Sequence, residues 1–265
     1  MKSLSLAVIL FLGIGINSVF TETCWAQKKI ASSSGDNPPA HTLDPAITVG
    51  RSSLERISAL KDYQAVFTKQ EQVGGQMIRH EMKVKIRHRP FSVYMHFSGR
   101  EEGREVIYVE GRNDGNLLVH ETGLTSLIGT IKLDPNGRQA MSESRHPITK
   151  MGMQRMLEIL LQQWQSEKKY NDIQLKYFPK AKLGDRLCKV IQTSHRKRKK
   201  SVEFQMTRLF IDRESSLPVR IEQYAYPEKA GSEPVLVEEY TYSNVQSNTG
   251  LKDIDFDSED PEYDF

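Results

Sequence analysis

Hydrophobic and polar positions change their period several times along this chain. Leu4–Phe20 is almost entirely apolar, and an aperiodic stretch follows it. Leu54, Ile57 and Leu60 then recur at helical spacing behind a Ser52-x-x-Glu55 capping box, which predicts a short helix. From Tyr63 the period is two. Tyr63, Ala65 and Phe67 share one face, and Gly74-Gly75 reads as a hairpin turn. Met82, Val84 and Ile86 alternate with Lys83, Lys85 and Arg87 until Arg89-Pro90 interrupts the run. Phe91, Val93, Met95 and Phe97 then lie opposite Ser92, Tyr94, His96 and Ser98, and Val106–Val109 and Leu117–Val119 add two strands.

Residues 146–168 return to the helical period, with Met153, Met156, Leu157, Leu160 and Trp164 forming one apolar stripe. Alternation resumes over 186–194, 201–212, 217–224 and 235–242. The order is helix, strands, helix, strands. Two helices cannot cover so many antiparallel strands as a flat layer. The economical fold is mainly β with α: a single strongly curved antiparallel sheet wrapped around plugging helices.

The beginning of the chain reads as an export signal. Lys2 precedes the apolar run, and Cys24-Trp25-Ala26 presents small residues at the positions a signal peptidase requires, so cleavage is expected after Ala26. The organisation expected is a signal peptide over 1–26, a flexible linker over 27–50 containing Ser32-Ser33-Ser34-Gly35 and Pro38-Pro39, a domain over 51–258, and an acidic tail over 259–265. Cleavage removes Cys24 and leaves Cys188 as the only thiol, inside a strand-like run where it reads as a small core residue. Without an internal disulfide, the apolar core must hold the exported domain together.

Charge and motifs narrow the chemistry. The 265 residues carry 37 Lys+Arg against 34 Asp+Glu, a formal net charge of +3, which gives no global case for nucleic acid as a partner. The one dense basic run is Arg196, Lys197, Arg198, Lys199 and Lys200 at an expected hairpin tip. It reads either as a solvated turn or as a contact for an anionic membrane surface or an acidic protein partner, with the acidic tail as an internal alternative. None of the seven histidines stands at a metal-ligand spacing from another, although His88 with His96, and His96 with His120, could face each other across neighbouring strands. No metal and no cofactor are expected. No nucleophile elbow, phosphate loop or dinucleotide fingerprint is present, and Glu238 and Glu239 are adjacent in a strand, so their carboxylates point apart. No catalytic residue is assigned, and a non-enzyme is expected.

Leu209-Phe210-Ile211-Asp212, Leu217–Glu222, Glu238–Val245 and Asn248-x-x-Leu251-x-Asp253-x-x-Phe256, with Leu60–Gln70 at the other end, resemble the periplasmic lipoprotein carrier proteins. Their superfamily includes the outer-membrane lipoprotein receptor and a periplasmic regulator of envelope stress. The chain looks closest to an uncharacterised exported bacterial family grouped with them. The resemblance implies an unclosed half-barrel of about eleven strands with a hydrophobic cavity between sheet and helices. It also implies a periplasmic protein that binds a lipid or an acylated protein, and a monomer is expected. Phe91, Val93, Met95 and Phe97 on a strand, and Met156, Leu157, Leu160 and Trp164 on the helix, are the candidate cavity walls. The other reading is an envelope interaction or stress-sensor module whose cavity is filled by its own side chains.

Overall fold

A computed structural model describes residues 40–123, 129–229 and 231–265. The expected signal peptide, and the expected linker as far as Pro39, lie outside the described residues. Helix α1 (Asp44–Ser58) leads into strands β1 (Asp62–Val73), β2 (Gln76–His88), β3 (Phe91–Ser98), β4 (Glu105–Val109), β5 (Leu117–His120) and β6 (Ile131–Leu133). Helix α2 (Met153–Glu167) follows, and then β7 (Ile173–Leu183), β8 (Arg186–His195), β9 (Phe204–Asp212), β10 (Pro218–Ala225) and β11 (Val235–Ser247). All eleven strands form one antiparallel sheet in the order β6-β5-β4-β3-β2-β1-β11-β10-β9-β8-β7. β6 and β7 are its two edges and do not pair, so the sheet is the open half-barrel that the resemblance implied. The first six strands meander outward from β1, and the last five, β7 to β11, return to it, so β1 and β11 meet at the centre.

The inner face buries one continuous core. Tyr63 of β1, Ile86 of β2 and Val93 of β3 pack with Leu43 and Ile57 beside α1 and with Met153, Leu157, Leu160 and Trp164 of α2. Cys188 belongs to the same core and is fully buried. The outer face of β3–β5 carries a second cluster: Tyr94, Ile107, Val109 and Leu118 are covered by Phe256, with Leu251, Tyr263 and Phe265 beside it. Strand β4 is therefore buried on both faces, which explains its unbroken apolar sequence.

Three expectations are corrected. Helix α1 starts at Asp44, inside the expected linker, and Ser52 does not cap it. Pro45 stands in its first turn, the Asp44 carboxylate accepts from His41 N at 2.7 Å, and Ser52 Oγ donates to Thr48 O instead. Gly50 sits mid-helix because a Cβ there would come 2.7 Å from Leu161 Cδ2, so the glycine lets α1 approach α2. Second, the structure adds β6 and β7, which the alternating pattern does not mark as strands. β6 spans three residues, and β7 is mostly exposed, with a bulge between Phe178 and Ala181 around Pro179, which only an edge strand tolerates. Third, the acidic end does not pair with the basic tip. Asp255 binds Lys85 at 2.7 Å, Asp253 binds Arg87 at 2.7 Å, and Tyr263 stacks on Tyr94 with 4.0 Å between ring centroids.

Candidate functional site

The inward-facing positions of the central strands change character along their length. On β1 the series Tyr63, Ala65, Phe67 continues to Lys69 and Glu71; on β2, Ile86, Val84 and Met82 continue to His80; on β11, Tyr242 and Tyr240 continue to Glu238. One end of the inner face is apolar and covered by α2. The other end is charged and covered by residues 134–152, the connection between β6 and α2. Between this roof and the sheet lies a cavity of about 380 Å³. Phe67, Met82, Met95, Phe97, Val119 and Met156 form much of its apolar wall, and Lys69, Glu71, His80, Arg104, Glu143 and Glu238 line its polar end.

Ion pairs and hydrogen bonds hold the roof down. Lys69 Nζ donates to Glu143 O at 3.1 Å and to Ser144 Oγ at 2.5 Å, and pairs with Glu71 at 3.2 Å. Arg145 donates its backbone N–H to Glu71 at 3.2 Å and its Nε to Glu238 at 2.5 Å. His146 Nε2 is 3.2 Å from the same Glu238 oxygen, and Tyr240 Oη donates to Glu71 at 2.5 Å. Glu71 and Glu238 are nearly inaccessible to water, so both carboxylates depend on these partners. Burial pushes the Glu238 carboxyl up, but the hydrogen bonds and positive charge of His146 and Arg145 together outweigh it and hold the group below the usual glutamate range. Burial, then the charges of Glu238 and Glu71, drive the Tyr240 hydroxyl far up, so it stays a neutral donor.

Of the wall candidates, Met95, Phe97 and Met156 line this cavity. Phe91 lines a second space of about 370 Å³ near Arg155 and His88. Val93, Leu157, Leu160 and Trp164 are buried in the core between sheet and helices, where Trp164 Nε1 donates to Thr193 Oγ1 at 3.1 Å. Met82, Val119 and Ile159 line the cavity without having been singled out. The charged inward positions carried a readable signal: the alternation that places Phe67 inside also places Lys69 and Glu71 inside.

Elsewhere, Arg196, Lys197, Arg198 and Lys200 stand exposed between β8 and β9, while Lys199 pairs with Asp172 at 3.2 Å. None of them lines the cavity. The histidine pairings that neighbouring strands could have allowed do not form: His88 faces Phe91, and His96 and His120 each face Glu105 from opposite sides of β4. Glu238 and Glu239 do point apart, the first to Arg145 and the second to Arg220. A different group comes together instead: one donor atom each from His80, Glu101 and Glu143, all within 4.8 Å of one another.

Residues 60–265 match the family described as Protein of unknown function (DUF1571), and the chain belongs to that family. No curated protein matches it. Among solved structures, Mycobacterium tuberculosis lipoprotein LppX is 15% identical with a TM-score of 0.45, covering 79% of this chain and 98% of its own. A putative outer membrane lipoprotein-sorting protein domain from Vibrio parahaemolyticus is 11% identical with a TM-score of 0.38, over 80% of this chain and 95% of its own. MucB in the Pseudomonas aeruginosa MucA/MucB complex is 13% identical with a TM-score of 0.44, over 81% of this chain and 61% of its own. The family match meets the resemblance drawn from the sequence to an uncharacterised family.

Proposed function

We propose that this DUF1571 member is an exported, non-enzymatic binding protein that holds an acyl chain, free or attached to a lipid or protein, between its curved sheet and its roof. The observation that carries this reading is the cavity of about 380 Å³ with a continuous apolar wall and one charged end. Its volume falls in the range of small-molecule sites, with apolar side chains gathered along one wall and polar groups at one end. Met82, Met95 and Met156 give that wall an adaptable surface suited to chains of different length. The charged end, with Lys69 and Arg104, faces the headgroup. Burial of about ten methylenes contributes about 8 kcal/mol before the costs of association, enough for binding that can still be reversed by transfer to a better site. The exposed basic tip at Arg196, Lys197, Arg198 and Lys200 would bring the protein to an anionic membrane surface or an acidic partner.

The test is uptake of a fluorescent fatty acid, with native mass spectrometry of the purified chain. The wild type is expected to bind the probe and to carry lipid from its host. M95W and M156W, which fill the cavity from opposite walls, are expected to lose uptake while keeping the fold. A lipid-free mass with no probe uptake, or unchanged uptake in both tryptophan variants, overturns the reading. Replacing the tip residues by Ser is expected to abolish binding to anionic vesicles and leave probe uptake unchanged.

A further inference from the structure

We propose that His80, Glu101 and Glu143 bind one divalent transition-metal ion of the zinc class, and that this ion fastens the roof of the cavity to the sheet. The inference goes beyond the acyl-chain reading and does not rest on it.

The first observation is geometric. His80 Nε2 lies 3.7 Å from Glu101 Oε2 and 3.6 Å from Glu143 Oε2, and all three donor atoms are within 4.8 Å of one another. Nitrogen and oxygen ligands sit about 2.0–2.2 Å from zinc, so tetrahedral donors are roughly 3.4 Å apart. The two histidine–carboxylate separations need to close by only a few tenths of an ångström, and the two carboxylates, within 4.8 Å of each other, reach that spacing by rotation of their glutamate side chains. Three protein donors leave a fourth position for water.

The second observation is independent of the first. His80 is almost completely buried, and among the described residues neither ring nitrogen has a hydrogen-bond partner. The separations to the two carboxylates are too long for hydrogen bonds. The ring is wedged edge-on against Phe97, with 5.6 Å between centroids. A buried imidazole aimed at two carboxylates yet bonded to neither is a polar group whose partner is still to be supplied.

The surrounding charges are already spoken for. Lys69 is taken by Glu71, Arg145 by Glu238, and Arg104 by Glu121 at 2.8 Å. Arg104 also touches Glu143 at 3.2 Å, and it keeps Glu121 when Glu143 turns to an ion. Glu101 is left with Arg100, whose side chain is mostly in solvent. The imidazole selects a zinc-class ion over magnesium or calcium, which prefer all-oxygen sets. His80 belongs to β2, Glu101 to the turn after β3, and Glu143 to the roof, so one ion ties three separate segments together.

The experiment titrates the chelator-stripped full chain with zinc chloride by calorimetry, repeats it with cobalt(II) by visible absorbance, and follows hydrogen exchange over residues 139–146. One equivalent of zinc, a tetrahedral cobalt spectrum and slowed exchange in the roof are expected. E101Q and E143Q, at partly exposed carboxylates, should each weaken zinc binding about tenfold or more, and H80Q should abolish it, with H120Q unchanged. Absence of stoichiometric binding, or binding that survives E101Q and E143Q, overturns the site; binding without slowed exchange overturns the fastening role. No lipid is present in this assay, so its failure leaves the acyl-chain reading untouched.

Discussion

The hydroxyl of Tyr63 accepts a hydrogen bond from the backbone N–H of Met153 at 2.9 Å, so the first strand of the sheet caps the first turn of the helix that fills it. Tyr242, on the neighbouring strand, accepts from Gly152 N at 3.1 Å. Helix α2 has no side-chain cap of its own, and these two tyrosines satisfy donors that the helix cannot. Both rings are almost wholly buried. Y63F and Y242F keep the packing but leave a buried N–H without a partner, so each should cost about 1–3 kcal/mol in urea unfolding. The double variant should fall short of the sum, because both hydroxyls serve one turn.

Gly152 is the hinge of the same arrangement. Its φ of 102° and ψ of 149° lie where glycine alone is at ease. A Cβ would also sit 3.3 Å from Tyr63 Oη. G152A is therefore expected to destabilise by about 2–3 kcal/mol, and by less in the Y63F background, where the crowding atom is gone.

Much of this architecture is visible in the chain because half-buried strands alternate. Tyr63, Ala65 and Phe67, or Met82, Val84 and Ile86, announce their face directly. What escaped had a physical reason in each case. Helix α1 is hidden because Gly50 and Ser53 stand on its buried face in place of apolar side chains, and Gly50 lets Leu161 approach. Strand β7 exposes Tyr177 and Phe178 and contains Pro179, so neither burial nor continuity marks it. The group at His80 joins residues far apart in sequence, from a strand, a turn and the roof, and no spacing rule connects them. The wall was half legible: periodicity placed Met95 and Leu157 on inward faces alike, but only the seating of the roof decides that Met95 meets the cavity and Leu157 the core.

Arg145 is the central fastener of the roof, held between Glu238 on the inside and Glu203 on the outside, each at 2.5 Å. R145A strands the buried Glu238 carboxylate with His146 alone and should cost about 3 kcal/mol. R145A combined with E238Q should recover part of that loss, since no unpaired buried charge remains. If the roof gates the cavity, R145A also speeds fatty-acid uptake in stopped-flow measurements, whereas M95W does not.

His88 gives the fold a pH dependence. Its ring packs edge-on against Tyr63, and its Nδ1 is 2.9 Å from Leu60 O. Burial lowers its pKa, and although the Leu60 carbonyl, Glu158 and Asp62 pull the other way, with Arg155 opposing them, the folded value stays below the unfolded one near 6.5. Between those two values the unfolded chain binds the proton and the folded chain does not. The contribution to stability is complete above pH 6.5 and is lost as the pH falls towards the folded pKa. The urea midpoint should fall on acidification through this window, and H88Q should flatten that fall relative to wild type. An unchanged slope in H88Q would remove His88 as its source.

The C-terminal segment covers the outer face of β3–β5, and its contacts differ enough to be separated experimentally. Phe256 is buried against Ile107, Val109 and Leu118, with the Arg87 guanidinium 4.8 Å from its ring centroid. F256A opens a cavity in that cluster and should cost about 3–5 kcal/mol. Beyond it, Tyr263 stacks on Tyr94, whose hydroxyl donates to Glu105 at 2.5 Å, while Asp264 N donates to the other Glu105 oxygen at 2.7 Å. Removing residues 259–265 uncovers Tyr94 and takes one donor from the buried Glu105, so it should cost less than F256A and remain folded. The inner cavity lies on the other side of the sheet from this segment, so the truncation should leave fatty-acid uptake intact. Loss of uptake in a truncated chain that still unfolds cooperatively would mean that the outer cluster sets the curvature on which the cavity depends.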